Sequence, residues 1–214
     1  MKYSRGCTLL LLVTVGLVEV YGHGMLMNPV NRGSAWRLGF DTPTNWNDNE
    51  NYCGGFSTQW DTNDGKCGEC GDSYSLRRPR PNENGGVYGT GTIVARYQPG
   101  QHIPVSVKLS ASHAGYFKFS LCPLRSETDL ETEECFEKHP LRLVDGSEVY
   151  KVTRHGAGYH NTTLVLPPGL TCKHCVLRWN YRTGNSWGIC EDGHGAMGCG
   201  PQETFRTCSD ISIA

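Results

Sequence analysis

The 214-residue sequence has no surplus of either charge: 20 lysines and arginines face 21 aspartates and glutamates, for a formal net charge of −1 at pH 7. Binding to phosphates or to an anionic membrane needs a basic surplus, so this balance gives no electrostatic case for nucleic acid or for a membrane surface. An uncharged partner is favoured instead. Long apolar runs are also missing. The one candidate, Leu9 to Val18, falls short of the roughly 20 residues that a membrane-spanning helix needs, and no second one follows it. Between Gly24 and about Gly91 there is neither a helical nor an alternating hydrophobic period. No internal repeat, low-complexity linker or appended second module is visible anywhere in the chain.

The short apolar run has the flanks of a secretory signal peptide. Lys2 and Arg5 form a positive leading region, and Val20-Tyr21-Gly22 ends in the small residue expected before a cleavage point. Cleavage after Gly22 predicts a signal peptide over 1–22, one domain over 23–214 and a secreted, extracellular product. The mature chain loses Lys2, Arg5 and Glu19 and stays close to neutral. Its first residue is His23. An N-terminal histidine offers its α-amino nitrogen and its ring Nδ1 to the same ion, which makes one residue a bidentate chelate suited to copper. If cleavage falls a residue or two away, His23 is an ordinary surface side chain.

Cysteine usage agrees with export. Cys7 leaves with the signal peptide, and Cys53, Cys67, Cys70, Cys122, Cys135, Cys172, Cys175, Cys190, Cys199 and Cys208 remain, an even set in a chain bound for an oxidising compartment. Five disulfides are the default reading. The rival is a zinc site built from the two-residue spacings Cys67/Cys70 and Cys172/Cys175, which thiols outside the cell rarely sustain. Pairing is mostly unreadable from the sequence; Cys122 with Cys135, which bracket one polar insertion, is the exception.

From Thr92 onward, short β-rich runs recur at Thr92 to Tyr97, Ile103 to Leu109, Tyr116 to Leu121, Glu148 to Thr153, Thr162 to Leu166, Cys175 to Tyr181 and Phe205 to Ile211. Turn residues such as Pro99-Gly100 and Pro167-Pro168-Gly169 separate them. This pattern predicts an all-β, immunoglobulin/fibronectin-like antiparallel β-sandwich, preceded by a long irregular disulfide-rich loop region. The acidic stretch Ser126 to Glu137 reads as a solvated loop or short helix. Asn161-Thr162-Thr163 is an N-glycosylation acceptor at an expected strand start, which would place a glycan on the sandwich surface.

A redox site needs a partner for His23. His113 is the best placed, because Leu109-Ser110-Ala111-Ser112-His113-Ala114-Gly115-Tyr116 puts it in a turn between two expected strands, among small residues. His102, His139, His155, His160, His174 and His194 are weaker candidates, and a lone turn histidine is commonly just a surface residue.

His23-Gly24 followed by Asn28-Pro29 and Arg32, the segment Ala111-Ser112-His113, and the terminal run Phe205-Arg206-Thr207-Cys208-Ser209-Asp210-Ile211 together resemble a lytic polysaccharide monooxygenase. The segments Asn51-Tyr52-Cys53-Gly54-Gly55-Phe56 and Cys199-Gly200-Pro201-Gln202-Glu203-Thr204-Phe205 resemble the insect-type members, auxiliary activity family 15, the chitin-binding type-4 domains. The resemblance covers essentially all of the mature chain. It implies a copper ion held by the amino nitrogen and Nδ1 of His23 and by Nε2 of His113, with Phe205 at the axial face and Ala111 beside it. Several relatives carry tyrosine where this chain has Phe205, and a phenyl ring offers no ligand atom.

Three nitrogen ligands support both Cu(I) and Cu(II) and leave room for oxygen or hydrogen peroxide. The amino group, with an ordinary pKa of about 7.7 to 8.0, must lose its proton to bind, so copper competes with acid. The resemblance implies oxidation of a sugar carbon beside the glycosidic bond with electrons from an external donor, acting as a monomer. Glu203, two residues before Phe205, shares its face if both lie on one strand, which makes it the candidate for positioning the oxygen species, with Gln202 as runner-up. A crystalline substrate demands a flat face, for which Trp36, Trp46, Tyr52 and Trp60 are candidates. Crystalline chitin is the first expectation and cellulose the second. A non-catalytic chitin-binding protein and a copper-binding or structural secreted protein remain as alternatives.

Overall fold

In a computed structural model, the described residues are 23–153 and 156–214. The expected signal peptide, its cleavage junction and His155 lie outside them. The strands are β1 (Gly24–Asn28), β2 (Ala95–Tyr97), β3 (His102–Leu109), β4 (Gly115–Pro123), β5 (Pro140–Leu143), β6 (Tyr150–Val152), β7 (Gly158–Val165), β8 (Cys172–Arg182), β9 (Trp187–Ile189), β10 (Gly195–Met197) and β11 (Thr204–Ile213). Their order is β1-β3-β7-β5-β4-β8-β11-β2, with β6 pairing β4 and with β9 and β10 forming a separate hairpin. β5 pairs both β7 and β4, so one continuous sheet folds over on itself into two facing layers. The result is the expected sandwich, and β2, which runs parallel to β11, is its departure from an antiparallel pattern.

The strict alternation of β3 turns Ile103, Val105, Val107 and Leu109 inward. They meet Phe117, Phe119 and Leu121 of β4 and Leu177, Trp179 and Tyr181 of β8, all fully or nearly fully buried. β8 and β11 are buried on both faces, because the outer face of their layer carries a second core of Cys70, Cys122, Leu124, Phe136, Val176 and Cys208. This second core explains why their sequences read as continuous runs rather than clean alternations.

All ten described cysteines pair: Cys53–Cys67, Cys70–Cys208, Cys122–Cys135, Cys172–Cys175 and Cys190–Cys199. The zinc alternative fails, since each sulfur it would need is oxidised. The Cys122–Cys135 link lies where the polar insertion suggested.

Several expectations need correction. The region before Gly91 is irregular except for two single helical turns, Ala35–Leu38 and Thr58–Thr62, and β1, an edge strand too short to show a period but laddered to β3 from Gly24 opposite Leu109 to Asn28 opposite Ser106. β7 begins at Gly158, so Asn161 sits inside the strand, exposed, with its Oδ1 accepting a hydrogen bond from Ser106 Oγ at 2.7 Å. The acidic stretch forms the short helix α1 (Glu133–Glu137), but it is not simply solvated. Phe136 and Glu131 are buried, and Glu131 is 0% exposed.

Glu131 meets Arg32, whose Nε and Nη2 donate to Asp210 at 2.8 and 2.6 Å and whose Nη1 donates to Glu131 and to Asn82 O. Burial opposes the charge on Arg32, but the two carboxylates outweigh it and hold its pKa above the ordinary range. Burial would likewise raise Asp210, and Arg32 reverses that effect, bringing its pKa down to about 2. This buried cluster ties the irregular region and the acidic insertion to β11.

Candidate metal centre

β1 and the β3–β4 loop bring His23 and His113 to one end of the sandwich. His23 O accepts a hydrogen bond from Ser110 N at 2.9 Å, which anchors the start of the chain to the first residue after β3. Gly24 N donates to Asn49 O at 3.2 Å. A side chain at Gly24 would force its neighbours to shift, because a Cβ there would lie 2.7 Å from Leu109 Cδ2 and 2.9 Å from Trp179. Glycine therefore lets the chain start press directly onto the core.

His113 is nearly buried in the tight turn that enters β4. Its backbone N donates to Tyr181 Oη at 3.1 Å, Tyr181 Oη donates to Ala114 O at 2.6 Å, and Gly184 N donates to His113 O at 2.9 Å. Burial pushes the Tyr181 hydroxyl up to about 12, with the Glu203 charge adding to the shift, so it stays a neutral clamp on both sides of His113. The turn passes through Ala114 at φ 51° and Gly115 at φ 91°, where a Cβ would fall 2.1 Å from Arg182 O. Ala111 lies half-buried in the same turn.

Sequence reasoning missed Glu50. Its Oε1 accepts a hydrogen bond from His23 Nε2 at 2.9 Å. A carboxylate on the far nitrogen fixes the ring's orientation and leaves Nδ1 free to face a metal, the arrangement that metal-bound histidines commonly show. Among the described residues, neither His23 Nδ1 nor His113 Nε2 has a hydrogen-bond partner. Two nitrogen donors without protein partners, one of them on a ring already oriented by a carboxylate, fit a copper ion. Glu50 has no local sequence signal, because nothing in its surroundings marks it as the neighbour of residue 23.

Phe205 is buried, opposite Tyr181 in the β8–β11 ladder, and its ring lies between Tyr52 and Tyr181 at centroid distances of 6.1 and 5.9 Å. Glu203 precedes β11 by one residue, yet its carbonyl accepts from Thr183 N at 3.0 Å, so the pairing with the β8 side continues through it. Its Oε2 lies 3.3 Å from His113 Nδ1. Despite that separation Nδ1 is buried without a hydrogen-bond partner. Burial, reinforced by the charges of Glu50 and Glu203, raises the pKa of the Tyr52 hydroxyl.

Gln202 does not face His113. It is fully buried, its Nε2 donates to Ser186 O and Cys199 O, and its Oε1 accepts from Ser186 N, so its amide clamps the base of the β9–β10 hairpin. Arg182 reinforces this clamp by donating to Gly198 O and Gly200 O.

The four candidate aromatics separate. Trp46 is 80% exposed and stands edge-on to half-buried Trp36 at 4.9 Å. Trp60 is half-buried, with Nε1 donating to Gln202 O, and Tyr52 packs on Phe205. A further aromatic, Trp187 on β9, is 64% exposed opposite Met197 on β10, with Ile189 on the same face. Its signal in the sequence was the apolar alternation Trp187-Gly188-Ile189 between glycines and cysteines. The remaining clusters with metal-ligand spacing, Cys70–Glu131–Cys208 and Cys190–Asp192–His194, have their sulfurs locked in disulfides.

The sequence model of a family described as lytic polysaccharide mono-oxygenase, cellulose-degrading, matches residues 23–211. Among solved structures, the auxiliary activity family 15 lytic polysaccharide monooxygenase of Thermobia domestica in its Cu(I) state is 51% identical, with a TM-score of 0.88 over 90% of this chain and 99% of that one. LPMO10B of Micromonospora aurantiaca is 14% identical, with a TM-score of 0.41 over 89% of this chain and 99% of that one, a likeness too weak to carry an argument. No curated protein sequence gives a significant match.

Proposed function

The chain belongs to the lytic polysaccharide monooxygenases and is a copper-dependent monooxygenase, and on that premise we propose that it oxidatively cleaves glycosidic bonds of chitin, with cellulose as the second choice. The supporting observation is the pair of ring nitrogens, His23 Nδ1 and His113 Nε2, left without protein partners at the end of the sandwich where Trp46 and Trp187 stand out to solvent. We further propose residues 1–22 as a signal peptide, 23–214 as a single secreted, monomeric domain, and exposed Asn161 as its glycosylation site.

In this reading the amino nitrogen and Nδ1 of His23, with Nε2 of His113, hold copper, which when bound supplies the one-electron chemistry that reduces oxygen or hydrogen peroxide. Glu50 orients the His23 ring through Nε2. Phe205, buried between Tyr52 and Tyr181, would offer copper an apolar ring with no ligand atom. Glu203, whose Oε2 lies 3.3 Å from His113 Nδ1, is the carboxylate we assign to positioning the oxygen species, through its contact with the His113 ring. Trp46 and Trp187 stack on sugar rings of an extended surface.

The test is incubation of the copper-loaded protein with chitin and, separately, cellulose in the presence of ascorbate, with mass spectrometry of the soluble products. Oxidised chitooligosaccharides that vanish in His113→Ala support the proposal. Oxidised products from cellulose alone reverse the substrate order, and binding to chitin without oxidised products from either polymer favours a non-catalytic binding protein.

A further inference from the structure

A cavity of about 690 Å³ opens at the opposite end of the sandwich, bounded by the glycine-rich loop from Gly85 to Gly91, Ile93, Leu124, Arg125, Lys173 and His174. His174 is near the start of β8 and Tyr181, which clamps His113, near its end. Seven residues of strand at roughly 3.3 Å each put the cavity about 23 Å from His113, too far for a shared ligand.

The cavity lining carries two cations, Arg125 and Lys173, and one carboxylate, Glu127. Arg32, Arg37, Arg78, Arg80, Arg142, Arg178 and Arg206 all meet carboxylates within ion-pair distance. Arg125 and Lys173, like Lys66, Arg77, Arg96, Lys108, Lys118, Lys151 and Arg182, form no ion pair among the described residues, and these two are exposed at the wall of one cavity. Of the nearby carboxylates, Asp210 is engaged elsewhere, whereas Asp129, its pKa lowered chiefly by the Ser126 hydroxyl, lies close enough to Arg125 for the guanidinium to help hold it down. Asp210 is matched by Arg32 and by His174 Nε2 at 2.7 Å, and Asp129 accepts from Arg125 N, Ser126 N and Ser126 Oγ. Glu127 is the one acidic residue in the lining. Ile93 and Leu124 give the wall an apolar part, and a volume in the range of small-molecule sites leaves room for more than a bare ion.

We infer that this cavity binds a small organic anion, with a carboxylate, sulfate or phosphate group against Arg125 and Lys173 and an apolar or ring body against Ile93 and Leu124. The site is separate from polysaccharide oxidation and does not depend on which polymer is cleaved. Backbone amide NMR of the copper-loaded protein reads it directly, because the loop lies far from the broadening around copper. Benzenesulfonate is expected to produce saturable shifts confined to residues 85–91, 124–127 and 173–174. Benzyl alcohol, its neutral counterpart, is expected to produce none, and inorganic sulfate is expected to bind at least about tenfold more weakly. The double variant Arg125→Gln/Lys173→Gln, whose exposed positions leave the core untouched, is expected to lose at least about tenfold in affinity while its other amide shifts and its activity on polysaccharide stay unchanged. Absence of saturable shifts at millimolar benzenesulfonate, equal shifts from benzyl alcohol, or unchanged affinity in the double variant overturns the proposal. Sulfate binding as tightly as benzenesulfonate overturns the organic part of it.

Discussion

His23 Nε2 is held 2.9 Å from Glu50 Oε1, while Nδ1 of the same ring has no partner among the described residues. One side of the imidazole is thus fixed by the protein and the other is presented to the end of the sandwich. Glu50→Ala removes the fixed side. The expected outcome, read by calorimetry, is a loss of about 10- to 100-fold in copper affinity with little change in melting temperature, as for other carboxylates that orient a metal-bound histidine. Unchanged affinity in a folded variant means that the ring is positioned by its backbone contacts alone.

The role proposed for the His23 amine is tested by extending the mature chain by one alanine before His23. The added residue converts the amine into an amide and separates the two nitrogens of the chelate. Copper binding should weaken sharply while the fold, whose β1 ladder begins at Gly24, survives. A calorimetric affinity equal to that of the unextended protein rules out the chelate.

Phe205→Tyr probes the axial face. The ring is buried between Tyr52 and Tyr181, so the added hydroxyl has to find space at its edge. A shift in the Cu(II) electron paramagnetic resonance spectrum is expected, with a modest loss of stability. An unchanged spectrum from a folded, copper-loaded variant places Phe205 in the core and away from copper.

Gly24→Ala is expected to be costly for its size. The new methyl would press on Leu109 and Trp179, both fully or nearly fully buried, and overpacking of this kind costs about 1–3 kcal/mol. Chemical denaturation should show that loss. A neutral result means that β1 can shift away from β3, and copper affinity should then fall because His23 shifts with it.

Acid should unfold the protein through Asp210. Its folded-state pKa, about 2, lies below the ordinary 3.8, so its pairing with Arg32 stabilises the fold above the ordinary value and is lost as pH falls from about 4 towards 2. The contribution is on the order of 2 kcal/mol. Urea midpoints measured across that window should drop, and a flat profile contradicts the pairing.

By itself the sequence determined what short-range chemistry writes into a chain. The alternation of Ile103, Val105, Val107 and Leu109 specified a half-buried strand, because side chains of a strand point to opposite faces in turn. The bracketing of a polar insertion by Cys122 and Cys135 suggested their pairing, whereas the expected cleavage point and the turn only offered His23 and His113 as candidates, which the family resemblance then selected.

Partners far apart in the chain were decided only by the tertiary structure. Glu50 meets His23 because β1 returns the chain start to the segment at Asn49, and Gln202 serves the β9–β10 hairpin rather than His113 because its amide finds three backbone partners there. Glu131 reads as one more solvated acid in an acidic run, yet it is buried with Arg32, 99 residues away. The physical reason is common to all three. A side chain's periodicity reports which way it points, whereas its charge or hydrogen-bond partner is chosen by which strands pair, and those pairings are set by the packing of the whole core.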